Sequence, residues 1–236
     1  MRPDLAAALE ATWPPARAVT LGPWTIRDGQ GGGKRVSAAT AEGDWAEGDL
    51  PGAEAAMRAL GQAPLFLVRE GETRLDAVLA ARGYGLVAPT LFYEAPVAAF
   101  APGPDPMSGF AHWPPLAIVR EIWTAAGIGP QRQAVMARVA GPHAAILGRT
   151  RDRPSGAAFV ALSGAVAMIH ALEVPQAQRR QGTARNLVGR AADWAAGQGA
   201  GWLALAVTEA NGPARALYEA LGMQVAGRYH YREAAS

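Results

Sequence analysis

The stretch "EVPQAQRRQGTARNLVG" (173–189) decides how the rest of the chain is read. Glu173 and Val174 end an apolar, strand-like run, and Pro175 stops a sheet ladder because it has no N–H to give. A helix then opens at about Gly182, with Ala184, Leu187, Val188, Ala191, Trp194 and Ala195 recurring at helical spacing. The first N–H groups of a helix lack intrahelical partners, and the helix dipole adds partial positive charge. Gly182 tolerates a left-handed backbone, Ala184 is small, and Arg179 and Arg180 suit an anion held in bidentate geometry. Such a strand–turn–helix fits a diphosphate, although in isolation it fits a solvated arginine-rich turn as well.

The elements on either side settle which. Upstream, "AIVREIWTAAG" and "PQRQAVMARVAG" read as short helices. "HAAILGRT" reads as a strand, and "GAAFVALSGAVAMIHALEV" as a hairpin turning at Ser163-Gly164. Downstream, "GWLALAV" (201–207) is nearly all apolar, as expected of a strand buried on both faces. "GPARALYEALG" follows as a helix capped by Asn211, with Pro213 in its first turn and Gly222 past its end. "QVAGRYHYRE" closes as a strand or hairpin.

Composition narrows the function classes. Net charge is only +2 and Lys34 is the single lysine, so there is no basic block of the kind nucleic acid selects. The absence of cysteine removes disulfides and Cys-ligated metals, and is what a reducing cytoplasm would favour. No apolar run approaches membrane-spanning length, so no membrane partner is expected.

The proline-rich "PVAAFAPGPDPMSGFAHWPPL" (96–116) divides the chain. Before it, "PLFLVREGETRLDAVLAARGYGLVAPTLFYEA" (64–95) repeats the strand–helix–glycine–strand tail at an offset of 139, placing Gly83 on Gly222, Val68 on Val207 and Glu94-Ala95 on Glu233-Ala234. This reads as an internal repeat. Under the offset, Leu79 and Glu72 stand where the second half has Tyr218 and Asn211, and "TAEGDWAEGD" (40–49) would repel a phosphate. "GQGGGKR" (29–35) sits between two strand-like runs and reads as a hairpin tip rather than a phosphate loop.

Residues 107–236 resemble the GNAT N-acetyltransferase superfamily. Its acetyl-CoA motif, Arg/Gln-x-x-Gly-x-Gly/Ala after a strand ending Leu-x-Val, appears as "LEVPQAQRRQGTA" (172–184). Its next block, Asn-x-x-Ala-x-x-Leu-Tyr-x-x-x-Gly-Phe, appears as "NGPARALYEALGM" (211–223), with Met223 in place of Phe. The resemblance implies an α+β (mixed α/β) GNAT fold: a central, mostly antiparallel twisted sheet with splayed strands, flanked by helices. It suggests a catalytic domain over 113–236, a linker over 98–112, and a smaller, degenerate GNAT-like half over 1–97.

The resemblance also implies roles. Leu172 and Val174 would offer backbone groups to the pantetheine arm and thioester carbonyl of acetyl-CoA, with a strand N–H near Val174 for the oxyanion. Arg179, Arg180, Gln181, Gly182, Thr183 and Ala184 would cradle the pyrophosphate, with the Thr183 hydroxyl as an extra donor. Asn211 would touch the pantetheine amides or fix its turn, and Tyr218 would protonate the departing thiolate. "HALxV" resembles arylalkylamine N-acetyltransferases, which favours His170 as base. Strict strand alternation puts Glu173 on the other face from His170, so Glu173 as base would need a bulge. Deprotonation through water alone stays open.

The expected activity is acetyl transfer by direct attack of a primary amine of a small or amino-acid-like molecule, without metal. A CoA-binding regulatory module, a protein N-terminal or lysine acetyltransferase and a ligand-free interaction domain are the alternatives. Ala206 stands where ribosomal-protein acetyltransferases of the superfamily carry glutamate, which weakens the protein-substrate reading. Trp113, Trp123 and Met136 are candidates for an apolar acceptor pocket. A homodimer is compatible with all of these.

Overall fold

The computed structural model describes residues 3–235, so residues 1, 2 and 236, the outer ends of the two expected segments, lie outside the described residues. The first half runs α1 (Pro3–Thr12), β1 (Arg17–Leu21), β2 (Trp24–Asp28), α2 (Lys34–Ser37), β3 (Thr40–Ala41), α3 (Leu50–Ala59), β4 (Leu65–Arg69), α4 (Thr73–Ala81) and β5 (Gly85–Pro96). The second runs β6 (Gly109–His112), α5 (Ala117–Ala125), α6 (Pro130–Ala137), β7 (His143–Thr150), β8 (Arg153–Ser163) and β9 (Val166–Glu173). It ends with α7 (Thr183–Gly197), β10 (Trp202–Thr208), α8 (Gly212–Ala220) and β11 (Gln224–Glu233).

Eight strands form one sheet in the order β4-β11-β5-β10-β9-β8-β7-β6, and all its pairs are antiparallel except β9 with β10. Helices cover both faces, so the expected mixed, splayed architecture is present. A smaller sheet, β1-β2-β3, abuts the edge of the large one through a parallel bridge between Ala39 and Phe66.

Within the sheet, the four strands β4-β11-β5-β10 are related across the β5–β11 pair. Shifting by 139 carries α4 (73–81) onto α8 (212–220), and β5 onto β11. It also carries the pairing Leu205↔Tyr93 onto Phe66↔Arg232, so β10·β5 and β11·β4 share one register. Each half has thus placed its last strand beside the other half's strand. The parallel bridge from Ala39, just before β3, to β4 mirrors the parallel pairing of β9 with β10.

Four apolar clusters result. One packs α7 and α8 against β5, β9 and β10 through Leu187, Val188, Ala191, Leu203 and Leu205. Full burial of each leucine contributes about 1.5–3 kcal/mol. On the opposite face, α1 lies over β9 and β10 through Leu5, Ala8 and Leu9. Beside it, α5 and α6 bury Trp123, Val135 and Met136 against β8. The fourth cluster joins α3 and α4 to β2 and β4.

Two expectations change. The final four residues of the expected 98–112 linker form β6, which pairs with β7, because Gly109–His112 has a free sheet edge to join. "GQGGGKR" is not a bare hairpin tip: it leads into the single turn α2, with Gly33 (φ 100°) as N-cap.

Gly156 sets the seat of α7. A Cβ there would lie 2.8 Å from the Glu173 carbonyl oxygen and 3.0 Å from both Leu187 Cδ1 and Thr183 Cγ2. Gly156→Ala is therefore expected to destabilise by about 1–3 kcal/mol in chemical denaturation, as overpacking does.

Candidate active site

β9 and β10 pair only from Val166–Ile169 against Trp202–Leu205. Beyond Ile169 they part. β10 continues along β5 to Thr208, while β9 turns away at a bulge where Ala171 adopts φ 49°. The indole of Trp123 donates to the Ala171 carbonyl at 2.8 Å and holds the bulge. The opening is a cavity of about 610 Å³ that takes in His170, Leu172, Glu173, Asn211 and Tyr218.

The bulge corrects the alternation. Ala157 faces Glu173 whereas Phe159 faces His170, so one extra residue of β9 is absorbed between them. Leu172 and Val174 join Ile169 in the cluster under α7, while Ala171 packs on the other side with Trp123. Glu173 therefore lies on the same side as His170, which strict period-2 reading denied. Its carboxyl is raised by burial, against the lowering effect of Arg179 and Arg132. A raised carboxylate is a stronger base.

His170 sits differently from the expectation. Thr12 Oγ1 donates to the Ala8 carbonyl at 2.6 Å, so toward His170 Nε2, 2.9 Å away, it accepts. Nε2 then carries the ring proton, and the Nδ1 lone pair accepts from Arg35 Nη1 at 3.0 Å. Burial and the Arg35 charge hold the imidazole well below its ordinary pKa. Both ring nitrogens are engaged, and no lone pair is left for a substrate proton.

Tyr218 projects from α8 and is 6% exposed. Burial, then the Glu173 carboxylate, pushes its phenol up to about 12. It stays protonated at working pH. Asn211 caps α8, its Oδ1 accepting from Ala214 N at 3.3 Å, and so fixes the turn at the cavity wall.

The turn before α7 has the expected form. Arg180 (φ 62°) and Gly182 (φ 84°) are left-handed, and the first intrahelical bond is Asn186 N to Gly182 O at 3.0 Å. The amides of Thr183, Ala184 and Arg185 thus lack intrahelical acceptors. Arg179 and Arg180 are exposed, Arg179 Nε donating to Val174 O at 3.2 Å and Gln181 Nε2 to Ala177 O at 3.2 Å. Thr183 departs from expectation. At 2% exposure its hydroxyl turns inward to Thr150 Oγ1 at 3.1 Å and is not free for a phosphate.

Trp123 and Met136 are buried core and Trp113 meets His143 edge to face, and none of the three lines the cavity. Trp13 does, its ring 5.0 Å from His170, together with Lys34, Arg35, Tyr229 and Tyr231. Sequence reading missed this wall. Its one signal was the lone lysine beside an arginine after three glycines, but Arg35 stands 135 positions from His170.

Among the described residues no cluster of metal-ligating side chains occurs, and no helix is long and apolar enough to cross a membrane.

The family model for the acetyltransferase (GNAT) family matches residues 120–223. The structure resembles a GCN5-related N-acetyltransferase from Kribbella flavida with TM-score 0.70 at 19% identity, over 99% of this chain and 93% of that one. It also resembles a GNAT-family acetyltransferase from Colwellia psychrerythraea, TM-score 0.52 at 12% identity, over 85% and 77%. A tandem GNAT protein from the clavulanic acid biosynthesis pathway gives TM-score 0.59 at 15% identity, over 84% and 76%. At such identities the likeness is one of fold. No curated protein matches the sequence. Residues 120–223 of this chain are a GNAT-family acetyltransferase domain.

Proposed function

We propose that the chain transfers an acetyl group from acetyl-CoA to a primary amine of a small molecule, with Glu173 as base and Tyr218 as acid. The observation that carries this is their sharing one cavity, where the Glu173 charge acts on the Tyr218 phenol at the mouth of the splayed strands. The two left-handed residues and the open amides at the start of α7 fit a diphosphate on the α7 side. Leu172 and Val174 lie on that side too.

In this reading Glu173 takes a proton from the ammonium form of the acceptor, leaving the lone pair that attacks the thioester carbon. As the carbon–sulfur bond breaks, Tyr218 gives its proton to the departing thiolate. The new amide nitrogen releases its second proton to solvent at the open mouth, and solvent also returns the proton held by Glu173 to Tyr218, so that one proton leaves per turnover. His170 is a positioning residue that holds Arg35 and Thr12.

We further propose that residues 3–96 are a second copy of the same fold without a cofactor site. The common register under the 139 shift supports this. Leu79, at the position of Tyr218, is fully buried and offers no proton. Glu42, in the stretch before α3, is held by Arg69 at 2.7 Å, so that arginine is not free for a phosphate. One acetyl-CoA per chain is the expected stoichiometry in calorimetry; two would refute the second copy's loss of its site.

The test of the function is thiol release from acetyl-CoA across a panel of amines. Arg179→Ala with Arg180→Ala is expected to weaken CoA binding by roughly 10–100-fold, the equivalent of one lost charge-assisted contact. Undiminished CoA binding in that double variant would remove the cradle from the account.

A further inference from the structure

We propose that the acceptor is an amine that also bears a carboxylate, and that Arg35 is the residue that receives that carboxylate. This deepens the acyl-transfer reading above and rests on it for the amine.

The charges lining the cavity are unbalanced. Among the described residues that line it, Lys34, Arg35 and Arg132 are cationic, and Glu173 is the only carboxylate. Lys34 is already paired with Glu233. Among the described residues no carboxylate pairs with Arg35. Its neighbours are the neutral imidazole of His170, which accepts from Nη1, and the phenols of Tyr229 and Tyr231, which hydrogen-bond to the guanidinium. Its Nε is sealed from solvent and makes no hydrogen bond. A guanidinium withdrawn from water without a carboxylate is costly, and natural cores pair it. An anion held in the cavity would supply the missing partner, and a carboxylate matches the planar fork of arginine.

The position argues for the acceptor rather than the CoA phosphates. Arg35 bonds His170, which lies with Glu173 on the face of β9 away from α7. The open amides of α7 belong to the other side. Glu173 would thus meet the amine and Arg35 the carboxylate within one chamber, whose walls include Trp13, Tyr229 and Tyr231. Exposed Arg132, on α6, adds a like charge at the same wall and attracts anions toward it.

Matched probes test this: each amino acid, its carboxamide and its decarboxylated amine, beginning with phenylalanine, phenylalaninamide and 2-phenylethylamine. With CoA present, the carboxylate member is expected to raise the melting temperature of the wild-type chain, and in turnover to exceed its carboxamide roughly 10–100-fold in kcat/KM. Arg35→Met should abolish both preferences. Arg35→Lys, which keeps the charge but not the fork, should retain a reduced one, and it decides the matter if Arg35→Met does not fold. Absence of any carboxylate preference in the wild type, or a preference that survives at Arg35→Met or in full at Arg35→Lys, overturns the proposal. If no amine releases thiol but carboxylate probes still stabilise the wild type and not Arg35→Met, the anion site stands and the acyl-transfer reading falls.

Discussion

Tyr218→Phe is expected to lower kcat by roughly 10²–10⁴-fold, the range a positioned general acid supplies, while the KM for acetyl-CoA changes little. The ring is packed under α8 beside Tyr93, with centroids 5.8 Å apart, so phenylalanine keeps the packing and deletes only the hydroxyl. Because burial and Glu173 push the phenol up to about 12, the wild-type acid stays protonated across ordinary working pH. Its ionisation therefore adds no falling limb to the pH–rate profile below about pH 10. The discriminating measurement is a leaving-group comparison. A thioester with a more acidic thiol needs less proton donation, so the deficit should shrink with it. An equal deficit for both thioesters would make Tyr218 a structural residue.

Glu173→Gln should cost a similar factor, roughly 10²–10⁴-fold in kcat/KM at neutral pH. Its pH signature is separate from that of the acid. A carboxylate raised by burial must lose its proton before it can serve as base, so wild-type activity climbs as pH rises through that raised value. The variant should lose this limb and keep the one belonging to the amine itself. Stability should move the other way. A group whose folded-state pKa is raised favours its protonated form in the fold, so its contribution is full below the unfolded value near 4.5 and is lost as pH rises through the folded value. Glutamine imitates the protonated form, so Glu173→Gln should melt above the wild type at pH 8 and level with it at pH 4. A variant that is less stable at both pH values, with its pH limb intact, would return the proton to His170 or to water.

His170 shows how context overrides residue type. A histidine on the strand that leads to a cofactor turn invites assignment as the base, and nothing local says otherwise. The partners that engage its two ring nitrogens are Thr12 and Arg35, 158 and 135 positions away. Glu173 shows the converse. Period-2 alternation turned it from the site, and it returned because β9 takes one extra residue at Ala171. An alanine gives no hint of φ 49°. What holds it there is the indole of Trp123, from a helix on the other side of the sheet.

The second half was legible element by element because its signals are local. Proline 175, Gly182, Asn211 and Gly222 punctuate runs whose apolar period is clear, and α5 to β11 lie where these signals put them. The repeat was legible for the same reason, since the 139 offset needs only the order of strand, helix, glycine and strand. The crossing of β5 and β11 was not. Which strand lies beside which is decided by long-range pairing, and no residue within 64–95 says that its partner is 224–233.

By itself the sequence determined the elements, the turn before α7 and the motifs that made His170, Glu173 and Tyr218 candidates, because caps, turns and periodicity act over a few residues. Only the tertiary structure decided which carboxylate faces the cavity, which imidazole is spent on its neighbours, and that an arginine from the first half stands in the wall. Those depend on the free energy of burying and pairing groups far apart in the chain, which no local pattern records.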